Sequence, residues 1–595
     1  MKKFKIAIPI LLLSCYTLFS CVKEPVQMEE ESRTKEVPQC TNALTRSSTI
    51  KAYEILPNPY ALDVMQKVYD TYSETAVILQ PTDLYVKFMP KDSLELHTLI
   101  YDYDLELFSH PLDIDLPEGE EYINHNIPES DLTWVYTTVS PDFAFPSGIS
   151  YEIIEECYIP DNGETIGIPT KGGEIDVEDA AFALMGYNEL SSTSTQTLII
   201  PQGKINVYDN DIESNVPVKG VKVRCHNFVK RATAYTDEYG SYIMDISFKR
   251  NPSYSIVFEN NKDFKIWGIS LGSEYSMGKH GDVNLGFDNK AWLWAVVNNA
   301  AYEYYKMCEE TGILKPPPNL KIWVWKNAAS SSAPMLSRVI QDVKGPIQNF
   351  FFDIAVEGLN IMLRYITPDI TIGGERINGI PKTYGRIYQT VHHELAHASH
   401  YSQAGAFYWA NYILYIISCM GYGDGTEDQA QLCGIGEMWG NYIGYAQSVN
   451  KYSISTLKKM GSVEGWIYPQ VFWRLDSIGI LSKKQIYDCL TSEVDTYNEL
   501  VNKMYSLYPD KAIEIENVFE RYPAINHDVS LPAGCVKCID QNYTSSTFIN
   551  GDRIYVENIT VGNGSCLVLN AKSAITIYEP FTIEGGAELS IFLGI

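Results

Sequence analysis

Basic side chains are scarce in this sequence of 595 residues, which has 46 Lys and Arg against 74 Asp and Glu. The formal net charge is −28 at pH 7. Proteins that bind nucleic acid neutralise phosphates with clusters of Lys and Arg, and the sequence has no such cluster. The composition therefore argues against nucleic acid as a partner and predicts a solvated acidic surface.

Cysteine is also sparse, with twelve widely scattered residues. Small secreted scaffolds that depend on disulfides have a much higher density of cysteine, so the sequence excludes that class. Cys535 and Cys538 form a lone C-x-x-C. Because no second pair accompanies it, we interpret it as a local disulfide or two free thiols rather than a zinc or redox site.

Long apolar runs are missing, and the strongest one, Ile6 to Leu13, follows a start in which three of five residues are lysine. A run of this length is too short to span a bilayer and is typical of a secretory signal. Leu18-Phe19-Ser20-Cys21 resembles a bacterial lipobox. That resemblance implies a lipid on Cys21 and a protein tethered to the outer membrane, at its periplasmic face or at the cell surface. An ordinary signal peptide is the alternative.

The rest of the sequence has an ordinary globular composition, 45% hydrophobic and 20% charged, and its length suits about four domains. Changes of pattern along the chain predict a multidomain fold. The predicted segments are a signal peptide (1–20), an acidic stalk (21–48), an α+β N-terminal module (49–192), a β-sandwich (193–272), a mixed α/β domain (283–530) and a small stacked β module (535–595).

The predicted sandwich has short strands separated by regularly spaced turns. Its stretch from Pro217 to Val223, with T-D-E-Y-G-S-Y at 236–242, resembles a transthyretin-like carboxypeptidase-regulatory domain. That resemblance implies a β-sandwich that accompanies secreted enzymes. Asp237 and Gly240 are expected to form a hairpin turn.

The last 55 residues contain an approximate internal repeat with an offset of 22 residues. Two copies of such a unit predict stacked strands, because each copy must bury the apolar face of its neighbour. The matching positions are Val561, Gly564, Leu567 and Leu569 in the first copy and Ile583, Gly586, Leu589 and Ile591 in the second.

Histidine is rare, with ten in the chain, yet four occur in V-H-H-E-L-A-H-A-S-H at 391–400. Apolar residues around this stretch recur at helical spacing and predict a helix with a buried stripe. His393 and His397 are one turn apart, so both rings can reach the same metal ion. Glu394 lies beside them, where it can take a proton from water that the metal activates. We therefore expect His393 and His397 to bind one zinc ion and Glu394 to act as the base, with His392 and His400 as bystanders.

A catalytic zinc site usually has three protein ligands and one open position. Glu437 is the best candidate for the third ligand, because it lies 40 residues after His397 in a segment with helical spacing. The alternatives lie in an acidic, glycine-rich loop: Asp424, Glu427 and Asp428. H-E-x-x-H followed by a glutamate on a later helix resembles the gluzincin class of zinc metallopeptidases. The resemblance implies a zincin-like fold for residues 283–530, in which Asn441 steadies the ring of His393.

Zincin folds also imply an edge strand along which an extended substrate pairs with the backbone. Ile370, Thr371 and Ile372 precede the helix and are the candidate for that strand, although an ordinary core strand fits equally. Catalysis would further need a side chain that stabilises the oxyanion. Three residues remain open for that role: Tyr442, Tyr445 and His527.

The sequence thus predicts a membrane-tethered zinc peptidase that acts on a protein or peptide substrate. The alternative function is a non-catalytic surface lipoprotein that binds glycan or host protein on a retained zincin scaffold. A mucin-directed glycopeptidase is disfavoured, because the families that resemble it usually have glycine where this chain has Ala396.

Overall fold

The computed structural model describes residues 53–91, 93–122, 133–161, 164–167, 174–187, 198–267, 273–335, 338–339 and 368–594. The predicted signal peptide, the stalk and Cys21 lie outside these residues. The chain divides into two compact units. We call residues 53–303 and 318–388 the N-terminal unit, and residues 304–317 and 389–594 the C-terminal unit.

The N-terminal unit is built mainly from β-sheets, with short helices between them. Its helices are α1 (Leu62–Tyr72), α2 (Ser93–His97), the π-helical turn Thr98–Asp102 and α3 (Val177–Leu184). The first strands are β1 (Asp83–Met89), β2 (Val135–Val139), β3 (Ser150–Cys157), β4 (Thr165–Gly167), β5 (Glu174–Asp176), β6 (Gln202–Asp209), β7 (Ser214–Pro217), β8 (Lys222–Asn227) and β9 (Lys230–Tyr235). Then follow β10 (Ser241–Ile243), β11 (Ser253–Val257), β12 (Glu259–Asn260), β13 (Phe264–Trp267), β14 (Glu274–Gly278), β15 (Val283–Leu285), β16 (Leu320–Trp325) and β17 (Ile370–Gly373).

These strands form separate sheets. The α+β N-terminal module has the antiparallel sheet β2-β1-β3, and β4 pairs with β5. The next two sheets have the orders β10-β6-β15, with β7 also on β6, and β14-β11-β8-β9. A fourth sheet has the order β12-β13-β16-β17, in which β13, β16 and β17 are parallel.

Two details of the N-terminal unit differ from the predicted ranges. The sheets of the predicted sandwich continue past residue 272 to Leu285, and β13 pairs with β16, which comes from the segment assigned to the next domain. Asp237 and Gly240 do form a turn, with the Gly240 N–H donating to the Asp237 carbonyl at 3.0 Å. The turn is not a hairpin, because β9 and β10 belong to different sheets.

The C-terminal unit is helical up to about residue 520 and then becomes a β module. Two long helices, α4 (Trp292–Thr311) and α5 (Tyr384–Cys419), extend into it. Its other helices are α6 (Ala430–Ser448), α7 (Gln470–Ser477), α8 (Lys483–Asp488), α9 (Tyr497–Leu507), the 3-10 turn Pro509–Lys511 and α10 (Ala512–Phe519). Side chains cap two of the helices reciprocally: Ser482 with Gln485 at α8, and Thr496 with Glu499 at α9.

The β module consists of parallel strands: β18 (Cys535–Ile539), β19 (Asn542–Tyr543), β20 (Thr547–Val561), β21 (Cys566–Ile583) and β22 (Glu588–Leu593). Leu567 pairs with Leu589, and Val561 pairs with Ile583. These pairs confirm the offset of 22 residues that the repeat predicted. Cys535 and Cys538 are free thiols three positions apart on β18, so they point to opposite faces and cannot share a metal.

The described chain is therefore multidomain, with helices and several sheets of mixed topology. None of its described helices is both long enough and apolar enough to span a membrane.

Candidate metal centre

The H-E-x-x-H sequence lies on α5, as the helical spacing predicted. Ile387, Val391, Leu395 and Ala398 are all buried, and so are the polar side chains between them. A helix with a polar surface face would leave one side exposed. The histidines and the glutamate are therefore interior groups, and each needs a partner in the protein or a ligand.

His393 and His397 point at each other and at one carboxylate from α6. Their Nε2 atoms are 3.0 Å apart. Glu437 Oε2 is 3.6 Å from His393 Nε2, and Glu437 Oε1 is 3.3 Å from His397 Nε2. The structure thus brings together the three residues that the sequence singled out as ligands, although 40 residues separate the last two.

Glycines on α6 allow this close approach. Gly436, Gly440 and Gly444 recur every fourth residue and so lie on one face of the helix. A β-carbon at Gly440 would lie 2.8 Å from His397 Nε2 and 3.0 Å from His393 Cε1. At Gly444 it would lie 2.8 Å from the Gln389 carbonyl oxygen. The stripe was not predicted, although its fourfold spacing around Glu437 was a readable signal.

Two side chains orient Glu437. The Tyr412 hydroxyl donates a hydrogen bond of 2.6 Å to Glu437 Oε1. Asn441 Nδ2 donates to the Glu437 carbonyl oxygen at 2.9 Å and to Oε2 at 3.3 Å. Asn441 therefore supports the carboxylate and not the ring of His393, which is where the sequence placed its role. The reason is that residues four apart on one helix face each other directly.

Tyr412 reaches Glu437 because α5 is bent at Gly405. This residue has φ 80° and ψ 174°, a conformation that is essentially restricted to glycine. After the bend, Trp409 and Tyr412 pack beside His397, with ring centroids 5.7 Å and 6.1 Å from its imidazole. No periodic pattern in the sequence indicated the bend, so Tyr412 was not predicted.

Burial dominates the electrostatics of this group. It lowers the pKa of His393 to about 3, with a further contribution from His397. Burial alone would raise the pKa of Glu437, but the adjacent His397 and His393 and the Tyr412 hydroxyl hold it down to about 2. Among the described residues, no Lys or Arg forms an ion pair with Glu437. The carboxylate is thus stable as an anion only when a cation or an imidazolium lies beside it.

Glu394 is fully buried next to the two ligand candidates. Ligand atoms of His393, Glu394 and His397 all lie within 4.8 Å of one another. The other two histidines of the cluster contact other residues. His392 packs edge-on against Tyr304, and His400 packs against Tyr408 and Trp409.

The competing acids form a loop of their own. Glu427 accepts the backbone N–H groups of Asp424 at 3.2 Å and Gly425 at 3.1 Å, and Asp424 accepts the Thr426 hydroxyl at 2.6 Å. These side chains tie an exposed turn together, and the structure places Glu437, not the loop acids, at the histidines.

The three candidates for oxyanion stabilisation contact other parts of the C-terminal unit. Tyr442 packs against Trp439 and Phe472, and Tyr445 packs against Trp473. His527 Nε2 lies 3.3 Å from Glu516 Oε2. None of their contacts in the described part of the chain is with the His–Glu group, so the structure selects none of them.

The candidate substrate strand is β17 of the N-terminal unit. It is an edge of its sheet, but residues 331–335 already cover its open side. The N–H of Thr371 donates to the Ser332 carbonyl at 2.8 Å, and the Ser332 N–H donates back at 3.0 Å. Ile370, Thr371 and Ile372 are buried. A substrate could pair here only by displacing residues 331–335, so the core-strand interpretation fits better.

The geometry of the His–Glu group fits a zinc ion. Zinc with bonds of about 2.0–2.2 Å in a tetrahedron holds its ligand atoms about 3.3–3.6 Å apart. The observed separations of 3.0, 3.3 and 3.6 Å match that spacing. Two neutral imidazoles and a carboxylate are also the donor types that zinc prefers. Neither the protein-family models nor the curated proteins contain a match to this chain.

Proposed function

We propose that this protein is a zinc-dependent peptidase in which His393, His397 and Glu437 hold the metal and Glu394 is the general base. The observation that carries the proposal is the convergence of two Nε2 atoms and one carboxylate at the spacing of zinc ligands. The buried charge of Glu437, which no Lys or Arg balances in the described residues, supports it further.

Each side chain has a separate part in this chemistry. A bound zinc ion would polarise water and lower its pKa towards neutrality. Glu394 would accept the proton that the water loses as its oxygen attacks the scissile carbonyl carbon. It would then pass that proton to the departing amine, which completes hydrolysis of the peptide bond. Tyr412 and Asn441 would keep the Glu437 carboxylate oriented throughout.

Metal analysis of the full-length chain, together with hydrolysis of a quenched-fluorescent peptide library, tests the proposal. The wild type should contain one zinc per chain and cleave library members. Glu394→Gln should keep the zinc and lose cleavage by at least about 100-fold, the usual range for a general base. Glu437→Gln should lose both. Glu427→Gln, in the exposed loop, is the matched control and should keep both.

Two results would contradict the proposal. Absence of stoichiometric zinc in the wild type would remove the metal site. A zinc-loaded wild type that cleaves no member of the library would favour a non-catalytic surface protein on a retained scaffold. The two functions therefore separate in one experiment.

The proposal includes a lipid anchor at Cys21, which rests on the L-F-S-C sequence alone. In a bacterial host, the wild type should incorporate a labelled fatty acid and fractionate with the outer membrane. Cys21→Ser should lose the label, because only the thiol can carry the thioether-linked lipid. An unlabelled wild type would indicate an ordinary signal peptide.

A further inference from the structure

We propose that the N-terminal unit has a second binding site, a cleft that takes a neutral sugar ring. The cleft has a volume of about 570 Å³, within the usual range for small-molecule sites. The α+β N-terminal module forms one wall with residues that include Asp113 and Tyr187, and the strands of the neighbouring sheets form the other with Asn227 and Arg250. The site is independent of the His–Glu group.

The floor of the cleft has one unused donor and one carboxylate acceptor. Asn227 is 7% exposed, and its Nδ2 has no hydrogen-bond partner among the described residues. Burying such a donor without a partner costs about 1–3 kcal/mol, so a ligand acceptor is favoured there. Asp113 lines the same cleft, and its carboxylate accepts one long hydrogen bond, 3.5 Å, from the Tyr85 hydroxyl. A hydroxyl group both accepts and donates, so a pair of sugar hydroxyls satisfies both side chains.

Aromatic rings supply the apolar side of the cleft. The ring of Tyr187 lies 5.7 Å from the rings of both Phe182 and Phe228, and Phe182 lies 6.1 Å from Phe228, centroid to centroid. Arg250 stacks on Phe182 with its Cζ 5.1 Å from the ring centroid. A pyranose has an apolar face of axial C–H groups, which packs on such a surface while its equatorial hydroxyls face the polar floor.

The charges of the lining select a neutral ligand. Two acidic residues, Asp113 and Asp115, and two basic residues, Arg250 and Lys279, line the cleft, so its formal charge is zero. Lys279 Nζ is 2.7 Å from Asp115 Oδ1, so the rim is already neutralised by an internal ion pair. An anionic or cationic ligand would have to break this balance in a chain whose formal net charge is −28. A neutral polyol need not do so.

The floor is held in place by a strained turn. Phe228 follows Asn227 in the turn between β8 and β9 and has φ 51°, an unusual value for a bulky residue. Phe228 and Val229 are buried in the same core cluster as Phe182, which offsets the strain. The Asn227 amide is therefore fixed before any ligand arrives, and preorganisation of this kind favours binding.

Saturation-transfer NMR and calorimetry on the full-length chain test the site. The probes are the methyl pyranosides of glucose, galactose and mannose, N-acetylglucosamine, and the acidic sugars glucuronic acid and N-acetylneuraminic acid. At least one neutral sugar should bind. Asn227→Asp and Asp113→Asn should each weaken that binding by about tenfold or more, because each change removes one hydrogen bond without changing shape.

Asn215 is an exposed asparagine on β7, so Asn215→Asp is the matched control and should bind like the wild type. Glu394→Gln should also bind normally, because it alters only the proposed peptidase. If Asn227→Asp fails to fold, Asp113→Asn still tests the floor. The proposal is overturned if no neutral sugar binds, if only the acidic sugars bind, or if the floor variants bind as tightly as the wild type.

Discussion

The sheet that contains β8, β11 and β14 buries a carboxylate near histidines, as the α5–α6 pair does. In the sheet, Glu274 forms an ion pair with Arg224 and accepts the Ser255 hydroxyl at 2.7 Å, while His110 and His226 lie close by. Burial alone would raise the pKa of Glu274, and Arg224 holds it down to about 2. In the helix pair, Glu437 has the same low pKa but no guanidinium.

The difference separates a structural charge group from a ligand site. Arg224 is 4% exposed, donates to the Leu107 carbonyl at 2.8 Å and stacks on Phe108, so the sheet group is electrically complete within the protein. The helix group has a buried anion and two imidazoles that face it. Burying an unbalanced charge is costly, and a divalent cation between the three side chains would restore the balance.

The largest effect is expected from removing the sheet's own cation. Arg224→Leu should lower the free energy of unfolding by about 3–5 kcal/mol, because it leaves the Glu274 carboxylate buried and unpaired. Urea unfolding of the full-length chain measures the loss. Lys572→Leu removes the cation of an exposed pair with Asp552 and should cost less than about 1 kcal/mol. Similar losses for both variants would mean that Glu274 does not depend on Arg224.

Neutralising the two carboxylates should have opposite effects in zinc-free protein. Glu274→Gln should destabilise, because Arg224 then stays buried without an anion. Glu437→Gln should leave the stability unchanged or raise it, because it removes an unbalanced anion. Zinc at about 1,000 times its dissociation constant should stabilise the wild type by about 4 kcal/mol and Glu437→Gln by much less. Equal stabilisation of the two chains by zinc would break the comparison.

The glycine stripe should be essential only in the helix pair. Gly440→Ala places a β-carbon 2.8 Å from His397 Nε2, so α6 must move away or the rings must turn. We expect a loss of about 1–3 kcal/mol in stability and loss of stoichiometric zinc. A β-carbon at Gly461 would have no neighbouring atom within 4 Å, so Gly461→Ala is the matched control. Retention of one zinc by Gly440→Ala would show that the helices do not need this close contact.

Local periodicity explains why part of the molecule could be predicted. His393 and His397 are one helical turn apart, and the repeat around Leu567 and Leu589 appears directly as strand register. In both cases the distance along the chain determines the distance in space. Glu437 was found because the resemblance to gluzincins supplied a residue that no local pattern could connect to His397.

The features that escaped prediction depend on tertiary geometry. Tyr412 reaches Glu437 only because Gly405 bends α5, and a single glycine within S-Q-A-G-A-F does not announce a bend. The pairing of β13 with β16 joins residues more than 50 positions apart and crosses the predicted domain boundary. Asn441 was assigned to a histidine by resemblance, whereas its own helix places it beside Glu437.

Tyr412 offers a milder way to separate the two groups. Tyr412→Phe removes the 2.6 Å hydrogen bond to Glu437 and little else, so zinc affinity should fall by about 10- to 100-fold. Competition with a fluorescent chelator measures the change. Tyr468→Phe, which removes a hydrogen bond to the Gly465 carbonyl at an exposed position, is the control and should leave the affinity unchanged. An unchanged affinity in Tyr412→Phe would mean that Glu437 is oriented without it.

The smallest expected effect is the pH dependence of the sheet group. Burial lowers the pKa of His226 well below its usual value of about 6.5, with further lowering by His110, Lys279 and Arg224 and an opposing effect of Glu274. Below pH 6.5 the unfolded chain therefore takes up a proton that the folded chain does not, and stability falls as the pH decreases. Replacing His226 with Phe should reduce the slope between pH 6 and 5 by up to about 1.4 kcal/mol per pH unit, measured by urea unfolding. His280→Phe, at an exposed histidine, should keep the wild-type slope. If His226→Phe also kept it, the ring would be protonated in the folded chain, and Arg224 would not be the only cation that balances Glu274.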